Sequence, residues 1–196
     1  MSEDSGLTRI REAAVELFGR TGFGGTTVRA IAARAEVSPA LIMHHFGNKD
    51  GLIRHCDDYV LGHIEKLRDD YLRGGTTIDS VTDYLSDHPE LIAMTRYLGQ
   101  ALLIGGAASR RVFDRMIDTA RNNLVTGIEA GRIRPVDDLE AYAAILASWN
   151  AASFMLGDAI AARLGGASLL DPGVLERVKD AADDLRSRGI LLPPKE

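Results

Sequence analysis

Apolar residues recur along this chain at the spacing of a helix and nowhere in strict alternation. Between Leu7 and Arg20 they fall at Ile10, Ala13, Ala14, Leu17 and Phe18, which predicts an amphipathic helix. Gly22, Gly24 and Gly25 break it. A second helix is expected to start at Thr27, whose hydroxyl can cap it, and to bury Val28, Ile31, Ala32 and Ala35. Ser38-Pro39 then opens a third, short helix, with Ser as N-cap and Pro at the first position, where a missing N–H costs nothing. It closes at Gly47, and Asn48 can cap a fourth helix running to about Leu72. That rod would be on the order of 35 Å long, enough to bridge two domains. Beyond Gly74-Gly75 the pattern predicts helices at 77–87, 89–103, 107–130, 137–164 and 172–188, separated by Gly- and Pro-bearing breaks. The expectation is an all-α chain of about nine helices, with residues 1–6 and 193–196 as loose ends.

The stretch Thr26 to Asp50 carries the most information. Two short helices joined by a tight turn, with alanines at the packing positions, meet the requirements of a helix-turn-helix. Ala32 and Ala33 are placed where the helices cross, Val37 plugs the turn, and Ile42 and Phe46 fall on the inner face. Ser38, Pro39, Ala40, Leu41, Met43, His44 and His45 are left for the outward face, which would fit the major groove of B-DNA. A plain helical hairpin would show the same apolar spacing. His44 and His45 are adjacent, so on a helix they diverge by about 100° and make a poor metal pair.

Over roughly residues 6–66 the chain resembles the TetR family of bacterial regulators. The resemblance rests on Leu17-Phe18, Gly22-Phe23, Thr26-Thr27-Val28, Ile31-Ala32, Val37-Ser38, His45-Phe46, Asn48-Lys49 and Leu52. It implies an N-terminal three-helix DNA-binding domain at 6–49, a linking helix at 50–73, and a larger helical regulatory and dimerisation domain at 74–192. It also implies that Thr27 bonds a phosphate, that Ser38, Ala40, Leu41, Met43 and His44 face the groove, and that Lys49 grips a phosphate beside a helix N-terminus. Three positions depart from the family pattern. Met43-His44 stand where paired tyrosines are common, Glu36 where Gly is usual in the turn, and Ala30 where an acidic residue would complete a capping box.

The later helices carry two stripes. A ridge of Ala143, Ala147, Ala151, Met155 and Ala159, spaced by four, permits close helix approach, and Leu175, Val178, Ala182 and Leu185 lie near coiled-coil spacing. The resemblance implies that these pair with their copies in a homodimer, which would let two short recognition helices read twofold half-sites. Opposite them, Tyr142, Leu146, Trp149 and Asn150, with Met94, Tyr97, Leu98, Ala101, Phe113, Met116 and Ile117, are candidates to enclose an apolar pocket. Arg96, Gln100, Asn123 and Asn150 are candidate polar contacts in it. Either stripe would equally serve as intrachain core. The resemblance implies a small-molecule effector of unspecified chemistry and repression from a double-stranded DNA operator.

Composition alters this picture little. Apolar residues make up 45% and charged residues 26% of the 196, ordinary for a globular protein. Net charge is −5, yet residues 8–49 carry six basic and three acidic side chains, a net of +3, leaving −8 elsewhere. A basic segment on an acidic body fits local contact with phosphates. Unbroken apolar runs are short, such as Ala143 to Ala147, so no membrane span is expected, and the acidic N-terminus is unlike a signal peptide. The single cysteine, Cys56, has no intrachain partner and reads as a packed apolar residue, with a redox sensor as the alternative. These features point to the cytoplasm. No nucleophile-elbow, phosphate-loop, dinucleotide or zinc-protease motif is present, and no Glu has a His three residues later. Neither an enzyme nor a cofactor or metal site is expected. A helical interaction module that does not bind DNA is the other alternative.

Overall fold

The computed structural model describes residues 3–74 and 90–187. Eight helices occur among them: α1 (Glu3–Gly25), α2 (Val28–Ala35), α3 (Pro39–Phe46), α4 (Lys49–Gly74), α5 (Glu90–Leu103), α6 (Gly106–Glu129), α7 (Leu139–Leu164) and α8 (Pro172–Ser187). The described residues contain no strand, and the fold is all-α. The helix expected at 77–87 and the expected loose end at 193–196 lie outside the described residues. At the other end the expectation needs correcting, because helix begins at Glu3 within the stretch read as loose. The glycine break does occur: Gly22 takes φ 72° and ψ 167°, so α1 is kinked there before its last turn.

One core joins the N-terminal helices to the body. Ile10, Ala14, Phe18 and Phe23 of α1 are buried with Ile31 of α2, Ile42 of α3, Leu52 and Val60 of α4, and Met94, Tyr97 and Leu98 of α5. The main contact is α1 laid along α5. It is so close that a β-carbon on Gly19 would stand 3.0 Å from the backbone nitrogen of Tyr97. Three rings fill the crossing, with Phe18 and Phe23 stacked at 4.8 Å and Tyr97 edge-on to Phe23 at 5.3 Å. The Tyr97 hydroxyl reaches the Ile53 carbonyl at 3.1 Å and the Asp57 carboxylate at 2.7 Å, so α5 is tied to α4 as well. Cys56 is fully buried beside them, and burial pushes its thiol well above the ordinary range. A thiol held protonated in this way is inert, which supports packing over redox sensing.

α4 meets α6 through a polar latch. The Arg115 guanidinium donates to both carboxylate oxygens of Glu65, at 3.2 and 3.3 Å, and to Asp58 at 3.0 Å. Thr119 adds a 3.0 Å bond to Glu65. α7 lies across α6 and α5. Contrary to the reading from apolar runs, α7 is long and apolar enough to cross a membrane by length and composition. Short runs hid this because single Ser, Gly and Asn residues interrupt a helix that is apolar on average. Only 17% of its apolar window is buried, so one face of α7 is left uncovered. α8 is held chiefly at its start, where Val174 is buried and Arg177 donates to the Leu164 carbonyl at 2.9 Å.

Candidate nucleic-acid interface and regulatory clefts

The helix-turn-helix is built from its caps. The Thr27 hydroxyl oxygen accepts from the Ala30 N–H at 3.1 Å, which leaves its own O–H outward and free to donate. The Ser38 hydroxyl caps α3 in the same way, accepting from the Leu41 N–H at 3.2 Å, with Pro39 in the first turn. Between the caps, Glu36 takes a left-handed backbone, φ 55° and ψ 46°, and its N–H closes α2 on the Ala33 carbonyl at 3.3 Å. A side chain costs about 1 kcal/mol or more in that conformation, which explains why Gly is the usual residue there. The turn therefore keeps its geometry and bears strain, with an exposed acidic side chain between the two caps.

α3 is anchored from below by Ile42, which is fully buried. On the outer side Ser38, Pro39, Ala40 and His44 are exposed, and Met43 is 45% exposed. Leu41 and His45 are half-buried and turned partly toward the core, so they present less surface than the helical spacing suggests. Ala33 is exposed and takes no part in the helix crossing, which Ala32 and Ile31 make instead. Asn48 caps α4 as expected, accepting from the Gly51 N–H at 2.8 Å. The Lys49 ammonium donates to the Phe23 carbonyl and lies 5.9 Å from the Phe18 ring centre. With three donors, it has capacity left for a phosphate.

The local excess of basic charge is smaller than the count implied. Arg34 pairs with Glu16 at 2.8 Å, Arg20 lies 3.8 Å from the same carboxylate, and Arg11 stacks on the Tyr59 ring at 3.9 Å. Arg29 is exposed in the first turn of α2 beside Thr27, and no apolar or capping pattern marks it in the sequence.

The two faces of α7 are exchanged relative to expectation. Ala143, Ala147 and Ala151 are buried against the chain's own helices, so this part of the predicted dimer ridge is intrachain core. Met155 and Ala159 of the same ridge are exposed. Of the opposite stripe, assigned to a pocket, Tyr142 is 43% and Trp149 40% exposed while Leu146 is half-buried against the core, and Ile145 (67%) and Leu156 (55%) are exposed beside it. Asn150 is exposed with it. On α8, Leu175, Val178 and Ala182 are half-buried and Leu185 is exposed.

Among the described residues the candidate pocket positions differ in exposure. Met94, Tyr97 and Met116 are buried in the core, Phe113 and Ile117 are half-buried, and Trp149 and Asn150 point to solvent. Of these seven, Phe113 alone lines one of the four cavities described, a cleft between α6 and α7. The largest of the four, about 630 Å³, opens elsewhere, between the end of α1, the outer face of α5, and α7 and α8. Of the polar candidates, Arg96 and Gln100 line it, whereas Asn123 and Asn150 do not. Among the described residues no group of three or more His, Cys, Asp or Glu is placed to hold a metal ion.

Comparison with known proteins agrees with this architecture. Residues 10–56 match the family model described as bacterial regulatory proteins, tetR family, and residues 90–185 match the tetracyclin repressor-like C-terminal domain. The HTH-type transcriptional regulatory protein RaaS of Mycobacterium tuberculosis is 38% identical over 151 residues, which cover 76% of this chain and 69% of that protein. Among solved structures, a TetR-family transcriptional regulator from Rhodococcus sp. superposes with a TM-score of 0.69 at 18% identity, covering 94% of this chain and all of that one. The transcriptional regulator FadR from Bacillus subtilis, solved in complex with stearoyl-CoA, does so with a TM-score of 0.66 at 17% identity, covering 94% and 99%.

Proposed function

Because this chain belongs to the TetR family of bacterial transcriptional regulators, we propose that it is a ligand-responsive repressor acting in the cytoplasm as a homodimer on a palindromic DNA operator. It is a DNA-binding regulator and not an enzyme. The observation that carries the finer reading is the outer row of α3. Ser38, Pro39, Ala40, Met43 and His44 stand clear of the core on a helix capped at its start and anchored by Ile42. In this reading residues 6–49 bind DNA, 50–73 link, and 74–192 sense the effector and dimerise. Met43 would touch a thymine methyl and His44 a base edge or phosphate, with Leu41 and His45 at the margin. Thr27, Lys49 and Arg29 would hold the backbone, aided by the N-terminal dipole ends of α2 and α4.

The second copy is argued from α7. A stripe of Tyr142, Ile145, Trp149 and Leu156 left open to water is far more apolar than a monomer's surface needs. α8, with Leu175, Val178 and Ala182 half covered and Leu185 exposed, lies beside it. Joining these faces across a twofold axis would place two α3 helices on successive major-groove faces. Ala143, Ala147 and Ala151 have no part in that contact, being already packed, while Met155 and Ala159 would join it.

The test is a duplex selected from random inverted repeats, with binding followed against salt. Lys49→Ala should weaken binding to all sequences and reduce the slope of log affinity against log salt by about 1, since one phosphate contact is lost. Thr27→Val should weaken it without changing that slope. Indifference to both substitutions would favour a protein-interaction module on the same fold.

A further inference from the structure

The cleft between α1, α5, α7 and α8 has a built asymmetry. One wall is a face of α5 in which Ile92, Thr95, Arg96, Gly99, Gln100 and Leu103 follow helical spacing, with Ile92, Arg96 and Leu103 exposed. This is the face opposite the buried Leu91, Met94, Leu98 and Ala101, so α5 separates the core from a second space. Toward α8 the lining is apolar, with Leu169 and Leu170 and, at the edge shared with the proposed dimer contact, Leu156, Leu175 and Val178. Toward α1 it is polar and cationic, with Arg20, Arg96 and Gln100. Arg96 has no ion pair or hydrogen bond among the described residues, and Arg20 has only the long contact to Glu16. Asp158 is the one carboxylate in the lining, so the charged groups facing the space, Arg20, Arg96 and Asp158, sum to +1.

From this arrangement we infer that the cleft binds an amphipathic monoanion, an organic carboxylate with an apolar body, and that the bound headgroup is felt by the DNA-binding face through α1. This rests on the effector reading above and gives it a place and a chemistry. The carboxylate fits the planar fork of Arg96 and the amide of Gln100, whose donors suit a bidentate acceptor. A dianion would exceed the local charge and meet Asp158. A volume of about 630 Å³ lies within the range of small-molecule sites.

The route to DNA is short. Gln100 Oε1 lies 3.1 Å from where a β-carbon would stand on Gly22, the kink of α1. The kink is stapled by hydroxyls: Thr26 donates toward the Gly22 carbonyl at 2.8 Å, and Thr21 lies 2.8 Å from Thr26. One residue on, the Phe23 carbonyl accepts from Lys49, the proposed phosphate ligand. α1 and α5 touch backbone to backbone at Gly19, and a β-carbon on Gly99 would stand 2.6 Å from the Phe154 carbonyl of α7. With no side chain to yield at either crossing, a headgroup that shifts α5 at Gln100 carries the last turn of α1 with it, and Lys49 follows.

The experiment titrates the full-length protein with dodecanoate, below its micelle concentration, by calorimetry and again in the presence of the selected duplex. Dodecanoate should bind, and dodecyltrimethylammonium should not. Arg96→Gln should weaken dodecanoate at least about tenfold, the worth of a charge-assisted hydrogen bond, and Thr95→Phe should abolish binding by filling the space. Dodecanoate should lower duplex affinity of the unmodified protein, and Gln100→Ala should remove that effect while circular dichroism and melting stay unchanged. Binding that ignores Arg96→Gln and Thr95→Phe, equal binding of the cation, or binding without effect on DNA would each overturn the proposal. Failure of the broader reading looks different, as absence of duplex binding before any ligand is added. The calorimetric arm needs no DNA and decides the cleft even then.

Discussion

Asp57 is 7% exposed, accepts from Tyr97 on one carboxylate oxygen and has no hydrogen-bond partner among protein atoms on the other. Burial pushes its carboxyl above the usual carboxylate range, more than the Tyr97 hydrogen bond and the nearby Arg111 pull it down. The folded protein therefore holds that proton more tightly than the unfolded chain. By linkage, stability falls as pH rises from about 4, the unfolded value, through the raised folded value, and stays reduced above it. Asp57→Asn keeps the shape and the acceptor for Tyr97 while removing the charge. It should raise the urea midpoint at pH 7, with the gain vanishing below pH 4. An equal gain at both pH values would show that packing, not charge, is responsible. Glu36 is the other residue held at a cost. That cost was foreseeable, because an acidic residue at a turn position suited to Gly announces its own strain. Asp57 was not, since its burial depends on Tyr97 arriving from 40 residues away.

At the scale of elements, the caps were legible because they are local. Thr27, Ser38 and Asn48 each bond a backbone N–H three residues on, and nothing distant is needed to place them. Contacts between elements were less legible. Arg115 on α6 reaches Glu65 and Asp58 on α4, a pairing with no trace in spacing along the chain. A partly exposed pair contributes only about 0–1 kcal/mol, so its importance is directional. It is a polar tie between α4 and α6, beside the Tyr97 bonds that join α4 to α5. Arg115→Ala should change global stability by less than about 1 kcal/mol. It should also loosen α4 locally, seen as faster amide exchange over residues 58–65. Exchange unchanged in α4 would mean that the Tyr97 contacts alone hold the helix.

For the whole molecule, the open stripe on α7 is the feature to be accounted for. Ile145 and Trp149 lie one turn apart at its centre. Ile145→Asp with Trp149→Ala should convert the proposed dimer to monomer in sedimentation velocity. DNA affinity for a palindrome should fall by at least about a hundredfold, because the second half-site no longer contributes. Ala147→Leu should instead destabilise the fold by about 1–3 kcal/mol, since that position is already filled. A dimer that survives the double substitution would place the interface elsewhere.

By itself the sequence determined the all-helical class, the approximate positions of the described helices, the caps at Thr27, Ser38 and Asn48, and the helix-turn-helix, because each depends on neighbours within a few residues. It also showed that α7 has a small-residue face and a large aromatic face. A helical period reveals that two faces differ, yet does not say which one meets the chain's own core. That was decided only by tertiary packing, which buries Ala143, Ala147 and Ala151 against α5 and α6 and leaves Tyr142, Ile145 and Trp149 turned outward.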